Sequence, residues 1–235
     1  MSEKKVSFEL CCADIRAVQL AEEYKLDGIE LCINLTHGGL TPSIELIKKA
    51  RSIFSSELAV LFRIRKGNFY YSKIEKEIML ADMHTAINFG IDTIVFGALN
   101  EDLTIDQEFI KQVIDQSNGY KLCFHKAFDQ TNSLIEALQV LQNHQIDRVL
   151  CSGGKGTAQE EKKNLKLLQD NSYHQIELMA GGKINPTNVN EILQATGVQR
   201  IHAALLDDSN ETSPYGSAEI ASRKKIEELL NCLSK

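Results

Sequence analysis

One short pattern occurs twice near the start of the chain, as VSFELC at residues 6–11 and as GIELCI at residues 28–33. Each copy is a short, mostly apolar run of the kind that forms a buried β-strand. The segment between them, DIRAVQLAEEYKL at residues 14–26, places apolar side chains on one face of a helix. A strand, a helix and a second strand in this order predict a β-α-β unit with two parallel strands.

The same alternation continues along the chain. Further strand-like runs lie at residues 58–64, 92–97, 121–125, 148–152, 176–181 and 200–204. Amphipathic segments separate them, and the segment at 72–90 opens with Ser72 and Glu75 in the spacing of a capping box. Eight strands alternating with helices in 235 residues predict an α/β fold, the (β/α)8 TIM barrel. An open doubly wound sheet is the alternative, but neither of its nucleotide-binding glycine motifs occurs.

No linker or change in composition divides the chain before its last thirty residues. We therefore expect residues 1–235 to form a single barrel domain. The stretch DDSNETSPYGS at 207–217 is polar and rich in turn-forming residues, which predicts a loop before a last helix at 218–233.

Charge and composition exclude some classes of function. The net charge of −6 and the pI of about 5.6 argue against a nucleic-acid partner. No apolar run approaches the ~18 residues of a membrane span, so no membrane partner is expected. The N-terminal residues MSEKKVSFEL lack an apolar signal segment, and the six cysteines show no disulfide framework. These features predict a cytoplasmic protein with reduced thiols.

Polar side chains recur at the C-terminal ends of the predicted strands, where barrels of this type carry their functional groups. Glu9 and Cys11 are two residues apart in the first strand, and Glu30 and Cys32 repeat this spacing in the second. Because side chains alternate between the two faces of a strand, each Glu shares a face with its Cys. We expect all four on the inner face near the barrel mouth. Glu9, Glu30 and His125 are candidate acid–base groups.

Two sets of residues predict an anion-binding site. Arg63 and Arg65 offer forked, permanently charged donors. Two glycine-containing strand ends let backbone N–H groups approach a ligand: Ser152, Gly153, Gly154, Gly181 and Gly182. The glycines could instead serve only to turn the chain. A buried ion network of Glu9, Glu30, Arg63 and Arg65 is also possible, and such a network could still bind an anion.

The thiols suggest a metal site. Cys11 and Cys32 lie in neighbouring strands, and paired thiolates are ligands that Cu(I) and zinc prefer. Cys123 and His125 belong to a strand across the barrel and do not obviously join them. Buried thiols can equally pack as small hydrophobic groups. Lys126 follows the inward His125 and is expected to point outward, which argues against a Schiff-base role.

Taken together, these motifs resemble the CutC family of copper homeostasis proteins, over about residues 6–206. The shared motifs are ELC (9–11 and 30–32), GGLTPS (38–43), FRIRKGNFYYS (62–72), VFGAL (95–99), FHKAFD (124–129), SGG (152–154), MAGG (179–182) and IHAA (201–204). The resemblance implies a (β/α)8 barrel, a cytoplasmic role in copper tolerance, Cu(I) binding in some members, and a homo-oligomer, either a dimer or a tetramer.

The chain departs from the family pattern at a few positions. Ile64 stands where the family usually has proline, Lys126 replaces an arginine, and Lys183 replaces a third glycine after Gly182. Lys183 adds a positive charge that could either strengthen or crowd an anion site. Two hypotheses remain open: a Cu(I)-binding homeostasis protein that uses Cys11 and Cys32, and an enzyme acting on a small phosphorylated or carboxylated molecule.

Overall fold

The computed structural model describes residues 6–173, 176–208, 212–213 and 216–234. Within these ranges, eight parallel strands close into a barrel in chain order, and the last strand pairs with the first. The strands are β1 (Ser7–Cys12), β2 (Gly28–Leu31), β3 (Glu57–Leu61), β4 (Thr93–Phe96), β5 (Lys121–Phe124), β6 (Arg148–Cys151), β7 (Glu177–Ala180) and β8 (Arg200–Ala203). This topology confirms the predicted (β/α)8 barrel.

Helices follow the strands and cover the outside of the barrel. They are α1 (Ile15–Glu23), α2 (Ile44–Ile53), α3 (Lys73–Ile87), α4 (Gln107–Gln116), α5 (Leu134–Asn143), α6 (Lys162–Asp170), α7 (Val189–Thr196) and α8 (Arg223–Leu233). Short 3₁₀ helices lie at Leu35–His37 and Lys126–Gln130, after β2 and β5. The predicted capping box starts α3, because the Ser72 hydroxyl accepts from the Glu75 N–H and the Glu75 carboxylate accepts from the Ser72 N–H. No helix in the described ranges is both long and apolar enough to cross a membrane.

The chain between β8 and α8 differs in part from the prediction. The last helix begins at Arg223, five residues later than expected. Backbone hydrogen bonds from Asp207 to Ile220 and from Ser222 to Leu205 hold the preceding segment. Most of the predicted loop at 207–217 lies outside the described residues or is described by backbone alone, where β9 (Thr212–Ser213) pairs with β10 (Gly216–Ser217). Residues 1–5, the start of the N-terminal segment expected to lack a signal, also lie outside.

The apolar side chains form two separate clusters. The larger packs between the strands and the helices. The smaller fills the barrel interior and consists of Cys11, Cys32, Ala59, Leu61, Val95, Cys123, Leu150 and Met179. All six cysteines carry free thiols, and five of them are buried. This agrees with the prediction that the chain has no disulfide framework.

Ion pairs close the N-terminal end of the barrel. The Arg148 guanidinium lies 2.8 Å from both Glu57 and Glu177 and 3.5 Å from Glu9. Arg200 pairs with the same Glu57 and Glu177 carboxylates at 3.4 and 3.0 Å. Four of these five residues begin their strands, so the network lies at the end of the barrel opposite the expected site. It leaves the C-terminal end free to form a cavity.

Candidate functional site

A cavity of about 690 Å³ opens at the C-terminal ends of the strands and is called the mouth cavity below. This is where barrels of this fold carry their sites. Its ionisable lining residues are Cys11, Glu30, His37, Arg63, His125, Lys126, Asp129, Lys155, Lys183 and His202. Seven of the eight strands, or the loops that follow them, contribute to this set.

The paired Glu and Cys side chains of β1 and β2 face the barrel interior, as predicted. The Cys11 and Cys32 sulfur atoms are 3.7 Å apart, and the Cys11 sulfur lies 3.9 Å from Glu30 Oε1. One ligand atom from each of Cys11, Glu30 and Cys32 falls within 4.8 Å of the others, so the three could hold a metal ion. The hydrogen bond with Cys32, together with burial, raises the pKa of Cys11 well above its usual range. A metal must therefore displace a proton there.

Glu9 lies deeper than Glu30 and holds a histidine. Its carboxylate Oε1 is 2.9 Å from His202 Nδ1, and Arg148 approaches its other oxygen from below. Burial alone would lower the pKa of His202, but hydrogen bonds with Cys11 and Glu9 raise it well above its usual value. One ligand atom each from Glu9, Glu30 and His202 also lies within 4.8 Å of the others. The imidazolium of His202 thus sits beside Glu30.

Glu30 is the acidic group of the cavity most suited to proton transfer. It is 5% exposed, and its Oε2 atom has no hydrogen-bond partner in the part of the chain that the structure describes. Burial, helped by the Glu9 charge, raises its pKa to about 7. A carboxyl group with this pKa exchanges protons readily near neutral pH.

His125 is a neutral hydrogen-bond donor. Burial and the nearby Arg63 charge lower its pKa to about 3. Its Nδ1 accepts a hydrogen bond from the Ala127 N–H at 3.1 Å, so the ring proton lies on Nε2. That Nε2 atom is buried and has no partner. The ring packs against Phe69 and Phe124, which fixes its orientation at the cavity wall.

Arg63 is held in the cavity wall by backbone carbonyls. Its terminal nitrogens donate to the carbonyl groups of His37 at 2.8 Å, Gly39 at 3.0 Å and Gly67 at 2.9 Å, and it lies over the Phe69 ring. Among the described residues no carboxylate pairs with it, and its Nε has no partner. The positive charge is therefore not neutralised within the cavity.

Arg65 does not join the site. It pairs with Glu75 and donates to the carbonyl of Tyr70, away from the cavity lining. The suggested network of Glu9, Glu30, Arg63 and Arg65 is absent from the described residues, because Glu9 pairs with Arg148 and His202 instead. β3 ends at Leu61, so strand alternation no longer sets the direction of the Arg65 side chain.

The glycine-rich strand ends are largely engaged within the protein. The Ser152 and Gly154 N–H groups donate to the Asp129 carboxylate at 3.0 and 3.1 Å, so this amide cradle already holds an anion. Gly153 does not line the cavity. A Cβ atom at Gly181 would lie 2.6 Å from Leu150, so this glycine serves packing. Only Gly154 and Gly182 of the five predicted residues line the cavity.

Three lysines line the cavity, and the prediction for one of them was wrong. Lys126 lines the cavity and does not point outward, because it follows the end of β5 in a 3₁₀ helix, where strand alternation has ended. Its Nζ lies 3.7 Å from the Asp129 carboxylate. Lys183 also lines the cavity. Sequence reasoning missed Lys155, although its position between two glycines in the loop after β6 was a usable signal.

Comparisons with known proteins agree with this architecture. The CutC family model matches residues 6–206. A family protein CutC from Glaesserella parasuis serovar 5 is 34% identical, with 96% of this chain and 98% of that protein covered. The human protein named copper homeostasis protein cutC homolog is 32% identical, with 91% of this chain and 78% of that protein covered.

Solved structures give the same result. A crystal structure of a CutC protein from Streptococcus agalactiae superposes with a TM-score of 0.79 at 31% identity, covering 84% of this chain and 97% of that chain. A phosphoribosylanthranilate isomerase from Thermotoga maritima has a TM-score of 0.63 at 11% identity over 97% of this chain and 98% of that one, and this similarity shows the fold alone. The chain therefore belongs to the CutC family.

Proposed function

We propose that the mouth cavity binds a small organic anion and catalyses a proton transfer on it. The observation that carries this proposal is a set of three buried polar atoms without hydrogen-bond partners: Glu30 Oε2, Arg63 Nε and His125 Nε2. All three residues line the same cavity. All three atoms are almost fully covered, so a ligand must shift their side chains slightly to reach them, and each new pairing would recover about 1–3 kcal/mol.

The charge of the cavity supports an anionic ligand. Arg63 and the three lysines supply four positive charges, whereas Glu30 and Asp129 are the only acidic residues of the described lining. Asp129 is already bound by the Ser152 and Gly154 N–H groups, and burial raises the pKa of Glu30 to about 7. An anion in the cavity would therefore meet a net positive surface.

The acid–base groups have different environments, as a proton-transfer site requires. Glu30 gains or loses a proton near neutral pH and can act as the base. His202, held as imidazolium by Glu9, can donate a hydrogen bond or a proton to a developing oxyanion. His125 remains neutral, so its Nε2–H group can donate a hydrogen bond without adding a charge to the cavity. Together these groups suit removal of a proton from carbon next to a carbonyl.

Exchange of carbon-bound hydrogen in D₂O tests the proposal whatever the final product is. Wild-type protein is incubated with a panel of small 2-oxo acids and sugar phosphates, and loss of C–H signals is followed by ¹H NMR. We expect exchange on at least one compound and its loss in Glu30→Gln, whereas Glu45→Gln on the exposed face of α2 keeps it. If neither the wild-type protein nor a variant catalyses exchange on any compound, the proposal is refuted.

Cu(I) binding by Cys11 and Cys32 is the second candidate, and the 3.7 Å separation of their sulfur atoms favours it. Two thiolates this close can bind one soft ion. An anaerobic Cu(I) titration against a competing chelator tests this on wild type, on the Cys11→Ser, Cys32→Ser double variant and on Cys232→Ser as a control. Tight stoichiometric binding lost only in the double variant supports a copper site. Binding that survives there rules it out.

The quaternary state and location are also proposals, drawn from the family. We propose a cytoplasmic homo-oligomer, either a dimer or a tetramer. Ile74 and Ile78, one turn apart on α3 and 69% and 44% exposed, offer apolar surface that such an assembly could bury. Light scattering of the purified protein tests the assembly, and a monomeric mass contradicts it. Fractionation of expressing cells tests the location.

A further inference from the structure

Three lysines approach the mouth cavity from adjacent parts of the barrel. Lys126 follows β5, Lys155 follows β6 and Lys183 follows β7. The proton-transfer groups Glu30 and His202 belong to β2 and β8. Because the strands close in chain order, the lysines occupy the arc of the rim from β5 to β7, and the acid–base groups occupy the arc from β8 to β2. The cavity therefore has two chemically different sides.

Two of the three lysines carry charges that no ion pair among the described residues neutralises. Lys126 shares the Asp129 carboxylate at 3.7 Å, so these two charges compensate each other. Within the described ranges, Lys155 and Lys183 lie in no ion pair, and both are exposed at the rim. The Lys183 charge reaches Glu160, but that carboxylate is bound by the Thr157 N–H and hydroxyl at 2.8 Å. Two lysines without a direct partner on one side of a cavity match a dianion better than a monoanion.

Two further observations place a ligand on this side. The amide groups of Ser152 and Gly154 are already taken by Asp129, so an incoming anion must rely on side chains. His125, 5% exposed and immediately before Lys126, adds an N–H donor without a partner to the same arc.

We infer that the ligand is a phosphate monoester, bound with its phosphate at Lys155 and Lys183 and its reacting carbon at Glu30 and His202. This inference rests on the proposed proton-transfer function and specifies its substrate class. Lysines suit phosphate as mobile point charges. The Nε2–H group of His125 completes the phosphate side as a neutral donor. Gly182 lets the loop after β7 pack closely at this side, because a Cβ there would lie 2.8 Å from the Ser152 Cβ and 3.3 Å from Lys126 Nζ.

Inorganic phosphate is the first probe, with binding measured by ³¹P NMR and calorimetry at fixed ionic strength. The test variant is the double replacement Lys155→Gln, Lys183→Gln. The control is Lys121→Gln, Lys224→Gln, which removes the same charge at the N-terminal end of the barrel and on α8. We expect the dissociation constant for phosphate to rise about tenfold or more in the test variant and less than about threefold in the control.

Equal weakening in both double variants would mean that net charge alone acts, and the inference would be wrong. It would also be wrong if wild-type protein bound acetate as tightly as phosphate. The hydrogen-exchange assay separates the two proposals. If the protein catalyses exchange on 2-oxo acids but its phosphate binding does not depend on the lysines, the proton-transfer function is supported and the phosphate-ester inference is refuted. If no compound exchanges, the proton-transfer function is refuted, whatever the phosphate-binding measurements show.

Discussion

His125→Asn tests the reasoning about buried polar groups in the mouth cavity. The asparagine oxygen can still accept a hydrogen bond from the Ala127 N–H, as His125 Nδ1 does at 3.1 Å, so the start of the following 3₁₀ helix is preserved. The substitution removes a group that titrates. Any change in the pH dependence of stability between wild type and variant therefore belongs to this ring.

The structure gives the size and the sign of the effect. Burial and the Arg63 charge lower the pKa of His125 from its ordinary 6.5 to about 3. Below pH 6.5 the His125 ring takes up a proton in the unfolded chain but stays neutral in the folded protein. His125 therefore contributes stability at high pH that is lost as the pH falls toward 3. At 1.36 kcal/mol for each pKa unit, the loss between pH 7.5 and pH 4.5 is about 3 kcal/mol.

Urea unfolding at several pH values between 4.5 and 7.5 measures this directly. The free energy of unfolding of wild type minus that of His125→Asn should fall by about 3 kcal/mol as the pH falls from 7.5 to 4.5. Taking the difference cancels every group that titrates equally in both proteins. His84→Asn on the exposed face of α3 is the matched control, and its difference from wild type should stay nearly constant.

Parallel stability curves for wild type and His125→Asn would refute the reasoning. They would mean that His125 takes up its proton in the folded protein as freely as in the unfolded chain. Its Nε2 would then be solvated and not a buried donor that a ligand could pair. The proposed function would lose one of its three unpartnered atoms.

The same contacts give three further predictions. Glu30→Gln should show the opposite trend, because a carboxyl pKa raised to about 7 stabilises the folded protein at low pH, and this contribution is lost as the pH rises from 4.5 through 7. The free energies of unfolding of variant and wild type in urea should diverge by about 2–3 kcal/mol between pH 5 and 8. Gly97→Ala should lower the free energy of unfolding in urea by about 1–3 kcal/mol, since the new Cβ would lie 2.5 Å from the His125 ring. Arg148→Met should cost about 3 kcal/mol or more, because three carboxylates lose the buried guanidinium that they share and keep their contacts with Arg200 or His202. Arg16→Met at the surface should cost under about 1 kcal/mol, and thermal unfolding compares the two variants.

The inner faces of β1 and β2 were predictable from sequence. The residues concerned lie within or directly beside regular strands: Glu9, Cys11, Glu30 and Cys32. Side chains alternate between the two faces of a strand, so the sequence alone gives the face of each. The prediction failed a few residues past the strand ends. Arg65 pairs with Glu75, and Lys126 lines the cavity, because irregular backbone after a strand has no fixed period.

The sequence by itself determined the fold class, the side chains that face inward within the strands, and the end of the barrel that carries the site. These features depend on local periodicity and on the alternation of strand and helix. Only the tertiary structure decided that Glu9 reaches His202 across 193 positions of chain, and that Asp129 fills the amide cradle of Ser152 and Gly154. The physical reason is that closure of the barrel brings the last strand beside the first, where Glu9 and His202 lie opposite each other in register. The loops after β5 and β6 likewise meet at the rim, so distance in space is independent of distance along the chain.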